Sequence, residues 1–497
     1  MDSNWDIVLK IEKLDETLNT VDNLVAEYTG SAEKLPGTVL RSMLQGTDWI
    51  DPQRCIVFAT KLKEPQPVTF ALVPFRKPNE TFKTIFNAVA ADNYYLLPIG
   101  PFQQAGISKD DEKLLHSLSR KQFKRSVSLE FFINQLLKKN DRQIREMLLN
   151  MQQNQGISQE GEQQFSAEET QKIINNMMDA ATQVETLSMG LDLAPETITA
   201  SMEIQSMEKT VLEKLFTPGT QKTILRSYNP AYPIAYKMAA YDIMGMLNLV
   251  DQVFGAVYET LGLNFNELIS IAAYFTGETA GGINYNRTGS SIESISVFKK
   301  AQASPDFFEN IFFPWLKKYS KNMQQMMEPQ SDDKIKQLFT RTQDSQVLGY
   351  HVVGVNIEIP LLPEDNGSLP ESASDLKTIS YGFRMTVVDN LLLIAPDDTR
   401  LKELIETGKQ LEPEFLIGPM AWFKVDLTSY FSALKNMIPQ LSGPDPMPDM
   451  GKIGYTVDMK KGQFKVDSII KVRDLQNMIR YMKSISAEES ELHEKSL

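Results

Sequence analysis

LSMGLDL (Leu187–Leu193) and IGYTVDM (Ile453–Met459) decide how this chain is read. Each carries apolar residues in a strand-like pattern and an aspartate at its sixth position. Each then turns into a second alternating stretch: Ile198, Ala200, Met202 and Ile204 after one, Phe464, Val466, Ser468 and Ile470 after the other. Alternation with a period of two marks a half-buried strand. The intervening APET (Ala194–Thr197) and KKGQ (Lys460–Gln463) are hairpin chemistry. A helix is expected to close each unit, over Lys209–Phe216 and Asp474–Lys483.

Working outward, the two halves keep matching in the same order. LNTVD (Leu18–Asp22) returns as LNLVD (Leu247–Asp251), both on helical patterns, and GTDWID (Gly46–Asp51) is echoed by GLNFNE (Gly262–Glu267). Strands are expected next at CIVFAT (Cys55–Thr60) and IAAYFT (Ile271–Thr276). DNYYLLP (Asp92–Pro98) pairs with DNLLLIAP (Asp389–Pro396), and Asp-Asn between extended runs suits a tight hairpin because both residues tolerate positive φ. VSLEFFI (Val127–Ile133) parallels VDLTSYF (Val425–Phe431), each a strand giving way to a helix. Ordered matches with stepwise changes in spacing are what insertions into a duplicated unit produce. Segregated strands and helices, without strict alternation, predict an α+β fold of two pseudo-repeated units. Each is mainly antiparallel sheet with packed helices.

The first repeat is placed at residues 14–216, a linker at 217–242, the second repeat at 243–485 and a charged, frayed tail at 486–497. The first carries a Gln-rich insertion at about 138–183, whose polar Gln-rich segment Met151–Gln164 is read as a mobile, solvated loop between two helices. The second carries a helix-rich insertion at about 300–376, with a strand at Tyr350–Ile359 and a loop from Pro360 to Ser374 containing Asn366-Gly367.

Composition narrows function by exclusion. The 497 residues carry 51 basic and 64 acidic side chains, a net charge of −13, which argues against nucleic acid as a partner. A single cysteine, Cys55, excludes an internal disulfide, and three separated histidines (His116, His351, His493) leave little for a metal centre. Residues 1–6 lack the features of a secretory leader and no run is long enough for a transmembrane helix, so a cytoplasmic protein is one expectation.

Catalytic constellations are sparse. Gly408-Lys409 and Gly451-Lys452 lack the first glycine of a phosphate-binding loop, and Gly277–Gly282 is expected to be a turn between strands. Ser206 and Lys209 have the spacing of a serine–lysine pair, but Ser206 reads better as a helix cap. His116 is expected on the surface of an amphipathic helix, His351 in an apolar strand and His493 in the solvated tail. Asp192 and Asp458, matched between the halves, are expected on a solvent face. The 23 methionines cluster at Met177/Met178, Met238/Met244/Met246, Met323/Met326/Met327 and Met437/Met447/Met450. Such thioethers either fill core or line an adaptable apolar groove. No catalytic, cofactor-binding or metal residues are assigned.

The stretch Leu268–Ile283, with FTGETAG (Phe275–Gly281), the stretch Phe423–Leu434 and the hairpins at Asp192 and Asp458 resemble an uncharacterised family of bacterial exported proteins with two diverged α+β repeats. The resemblance implies the periplasm or cell envelope, with a leader trimmed from the chain, and supplies no activity. The expected function is a non-enzymatic binding protein for a protein or apolar partner, using the duplicated sheets as its surface. The alternatives are a lipid or apolar-ligand carrier and a hydrolase with an inter-lobe site.

Overall fold

The computed structural model describes residues 5–29, 35–62, 67–99, 113, 125–155, 167–217, 222–239, 242–260, 265–286, 289–299, 304, 306–327, 339–360, 378–415, 420–437 and 447–496. The α+β class holds, and among these residues 18 strands form one antiparallel sheet. From one edge the order is β4 (Val89–Ala91), β5 (Tyr94–Ile99), β3 (Val68–Pro74), β2 (Ile56–Lys61), β1 (Ile7–Ile11), β6 (Val127–Phe131), β7 (Val184–Leu193) and β8 (Thr197–Ser206). β8 pairs with β20 (Gln463–Lys471). The order then continues through β19 (Lys452–Lys460), β18 (Ala421–Asp426), β10 (Ile234–Met238), β11 (Phe275–Asn286), β12 (Gly289–Phe298), β16 (Leu391–Ala395) and β15 (Thr378–Val388). Two further strands, β14 (Tyr350–Pro360) and β13 (Phe339–Val347), extend the second edge. Two residues each of β9 (Lys222–Thr223) and β17 (Glu414–Phe415) make a separate ribbon.

Read outward from the β8–β20 seam, the pairings on the two sides correspond strand for strand. The pair Ser201–Asp467 lies at the middle of the seam, with Thr197–Lys471 and Gln205–Gln463 at equal distances from it. On one side Ile7 faces Phe131, and on the other Ile234 faces Val425. The Asp92 and Asp389 turns close corresponding hairpins, and both aspartates sit at φ 50°. Backbone N–H groups at corresponding places agree with this register: Phe132, just past β6, donates to Asp6, and Asp426, the last residue of β18, to Pro233.

Several sequence expectations change here. Val127 opens β6 whereas Val425 lies next to the end of β18, so VSLEFFI and VDLTSYF are not in register. The stretch read as a linker contains β10, which pairs on both sides. Ile271 and Ala272 end a helix, and the strand expected at Ile271–Thr276 begins only at Phe275. Gly277–Gly282 lie inside β11 rather than in a turn. Glycine is required there by close approach: a Cβ on Gly281 would stand 2.3 Å from the Glu293 carbonyl oxygen, and one on Gly282 2.5 Å from Tyr232 Cβ. The tail expected to fray is helical to Ser496, as its run of Glu, Lys and Leu permits. The loop with Asn366-Gly367 lies outside the described residues.

The helices are α1 (Leu14–Thr29), α2 (Pro36–Met43), α3 (Glu80–Ile85), α4 (Ile133–Gln155), α5 (Ala167–Ala181), α6 (Val211–Leu215), α7 (Ile243–Thr260), α8 (Phe265–Ala272), α9 (Phe313–Met327), α10 (Asp398–Gly408), α11 (Leu427–Met437) and α12 (Val472–Ser496). α4 and α5 bracket the Gln-rich segment, most of which lies outside the described residues. In the outer strands both faces of the sheet are buried. Val57, Ala59, Phe70 and Leu72 pack with Trp5, while Ile56, Ala71 and Val73 pack with Trp49 and Phe82 on the other side. Burying each such large side chain contributes about 1.5–3 kcal/mol. Trp49 and Phe82 lie 4.6 Å apart, fixing α3 against the sheet.

Candidate binding face and a buried carboxylate pair

The inner eight strands behave differently from the outer ones. Successive residues of a strand point to opposite faces, so the registers sort every side chain into one of two surfaces. One row runs Leu9, Leu129, Met189, Met202, Val466, Val457, Ala421, Met238, one residue from each strand from β1 to β10. The row beside it runs Ile11, Val127, Leu191, Ala200, Ser468, Tyr455, Phe423, Tyr236. All but one of these sixteen positions, Ser468, are apolar or aromatic. None is buried, and of the sixteen only Ile11 packs against a buried cluster of described residues. The opposite face is polar yet better covered: Ser201 is 8% exposed while Met189 is 42% exposed.

Parts of the rows flanking these two are covered, which gives the face two partial walls and the form of a groove. At one end of the strands Ile204 and Phe464 pack under Leu212, Leu215 and Phe216 of the α6 segment, joined by Leu249 of α7. Phe216 and Phe464 stack with centroids 5.3 Å apart. At the other end Val425 and Ile453 pack with Leu427 and Phe431 of α11 and Tyr481 of α12. α6 is held by Thr210, whose side chain accepts from the Glu213 N–H, with the Glu213 carboxylate returning to the Lys209 N–H. The first bond satisfies an orphan donor of the helix, and the second ties the residue before the cap to its first turn. Ser206, expected as the cap, instead ends β8 and donates to the Gly462 carbonyl at 2.9 Å. Sequence reasoning missed Met189 and Met202 as groove residues, because their signal is strand alternation rather than methionine clustering. Of the clusters it named, Met178 and Met450 are buried core and Met238 lies on the floor.

A second concentration of chemistry lies in the outer part of the second half. Glu278 and Glu293, on β11 and β12, are both buried. Arg400, which follows the Asp397 cap of α10, grips Glu293 with two bonds: Nε to Oε2 at 2.5 Å and Nη2 to Oε1 at 3.1 Å. Tyr228 donates its hydroxyl to the same carboxylate. Burial, reinforced by Glu293, pushes the Tyr228 hydroxyl far above the usual tyrosine range and that of Tyr232 up to about 12. Glu278 accepts from Thr223 Oγ1 and, at 2.7 Å, from the Leu225 N–H. Lys237 donates to the carbonyls of Arg226 and Tyr228, and burial lowers its pKa. These partners bind the 222–238 segment to the sheet. Each of these groups is engaged with another residue of the chain.

The residues singled out in the sequence are not assembled into one site. Asp192 accepts from Lys13 Nζ at 3.3 Å and Ser126 Oγ at 2.9 Å, while its counterpart Asp458 is exposed. His351 is on β14, bonded to Asp344, which also takes Arg341. His116 lies outside the described residues, as does the side chain of His493. Gly408 is buried at the end of α10, and Gly451 precedes β19 at φ 69°. Cys55 is buried, and burial pushes its thiol up to about 11, away from nucleophilic chemistry. Near it, Glu12 keeps Oε1 buried with no hydrogen-bond partner, and burial pushes its pKa up to about 7 against the pull of Lys10. No group of three or more His, Cys, Asp or Glu among the described residues is placed to hold a metal ion. Nor is any helix among them long and apolar enough to cross a membrane.

The chain matches no protein-family model, no curated protein and no solved structure.

Proposed function

We propose that the protein is a non-enzymatic binding protein that takes an apolar partner on the floor of this groove. One observation carries the reading: two adjacent rows of apolar side chains cross eight strands outside nearly every buried cluster, between partly covered rows. Met189, Ala200, Phe423 and Tyr455 are exposed and the other floor residues half-buried, and the apolar area left in water costs free energy that an occupant would recover. The sequence resemblance to exported bacterial proteins supports a role at the cell envelope. The corresponding registers support descent of the two halves from one duplicated unit, with the groove crossing the junction.

Met202→Glu and Val466→Glu, at the centre of the floor, test the reading. The unmodified protein should enhance the fluorescence of an apolar dye such as ANS, and each variant should reduce that enhancement several-fold. Their thermal midpoints should barely move, because neither residue belongs to a buried cluster. Dye binding that is unchanged in both variants overturns the proposal.

A further inference from the structure

On the sheet face opposite the groove, the registers place Lys10, Ser128, Gly190 and Ser201 side by side across β1, β6, β7 and β8. Arg125, in the bend before β6, folds back over Gly190. A Cβ built on that glycine would stand 2.2 Å from Arg125 Cδ and 2.3 Å from its Nη1. Glycine at this place lets the guanidinium rest on the sheet, and a larger residue would displace it. At the places corresponding to Ser128 and Gly190 the second half carries Trp422 and Thr456, so the arrangement belongs to the first half.

Two groups at this place are unanswered. Ser128 is 8% exposed, and its Oγ is buried with no hydrogen-bond partner, which native structures rarely leave so. The half-buried Arg125 guanidinium forms no ion pair or hydrogen bond with another described residue. Nearby charges are engaged elsewhere: Lys10 with Glu130 at 3.0 Å, Asp192 with Lys13 at 3.3 Å, and Asp467 with Lys465. Glu203 accepts from Gln463 Nε2 at 2.5 Å, and Glu12 meets the backbone N–H of Arg125 rather than its side chain. We propose that Arg125 and Ser128 form a site for a small oxyanion, a carboxylate or a phosphate. A guanidinium pairs with either through two parallel bonds, and a hydroxyl beside it can donate to the same group. Directly opposed residues of antiparallel strands hold their Cβ atoms about 5 Å apart. The guanidinium, at the Cβ place of Gly190, therefore stands from Ser128 by a gap that one bridging oxygen closes. The site does not depend on what fills the groove.

The test uses the full chain with inorganic phosphate and acetate as separate probes, read by isothermal titration against sodium chloride at equal ionic strength. At least one probe should bind with one-to-one stoichiometry. Phosphate binding alone assigns a phosphate ligand, and acetate binding alone a carboxylate. Arg125→Gln should weaken binding at least tenfold, Ser128→Ala several-fold, and Gly190→Ala several-fold by lifting the guanidinium off the sheet. In the unmodified protein the bound probe should slow modification of Arg125 by phenylglyoxal several-fold, read by peptide mass spectrometry, which needs no variant to fold. Heats no larger than those of chloride for both probes overturn the proposal, as does binding that Arg125→Gln leaves unchanged. Protection confined to other arginines overturns the location.

Discussion

Phe70 on β3 and Glu293 on β12 occupy corresponding places in the two halves, Phe70 opposite Ala59 and Glu293 opposite Gly282. Around Phe70 the sheet is closed by apolar contact, with Trp5 meeting its ring edge-on at 6.0 Å. Around Glu293 the same layer is closed by Tyr228, Tyr232 and Arg400. A carboxylate in a sheet interior is tolerable only when charge and hydrogen bonds are both answered. The first half therefore depends on shape and the second on a network whose members cannot be removed singly.

The comparison can be broken most severely at Arg400. Arg400→Ala leaves Glu293 buried without its cation, and chemical denaturation should show a loss of about 3–5 kcal/mol. Phe70→Ala opens a cavity beside Trp5 and should cost a comparable ~3–5 kcal/mol with no change in pH dependence. Converting the second half towards the first, by combining Glu293→Phe, Arg400→Met and Tyr228→Phe, should recover most of what Arg400→Ala loses; a triple variant as unstable as the single one refutes the comparison. Thr210→Ala removes the cap of α6 and should lower stability by about 1 kcal/mol, with weaker ANS binding because one wall of the groove loosens.

The smallest effect expected is at Glu12. Its pKa is raised in the fold, so the protonated form is favoured there. The folded state holds that proton while the unfolded chain releases it near pH 4.5. Stability from this group is therefore fullest below pH 4.5 and declines as pH rises towards 7. Glu12→Gln should flatten that part of a plot of thermal midpoint against pH, and an unchanged slope would sink the assignment.

The hairpins at Asp92, Asp389, Asp192 and Asp458 were legible because turn chemistry and alternation are local signals. Other features were not. β10 is five residues within a proline-bearing segment, and its identity as a strand comes from β11 and β18 on either side. The glycines of β11 carry a turn's signature, and only Tyr232 and the β12 backbone show why side chains are excluded there. Glu293 and Arg400 are 107 residues apart, and no spacing in the sequence announces that they meet.

The groove divides in the same way. Alternation along β7, β8, β19 and β20 determined by itself that these strands have an apolar face, because side-chain direction follows from the pleat. Which part of that face stays open was decided only in the tertiary structure. Helices α6, α11 and α12 cover Ile204, Phe464, Val425 and Ile453, and leave Met202 half-buried and Ala200 exposed. Helix placement depends on long-range packing, and that is why one stretch of an apolar strand face is covered while the next is left half-exposed.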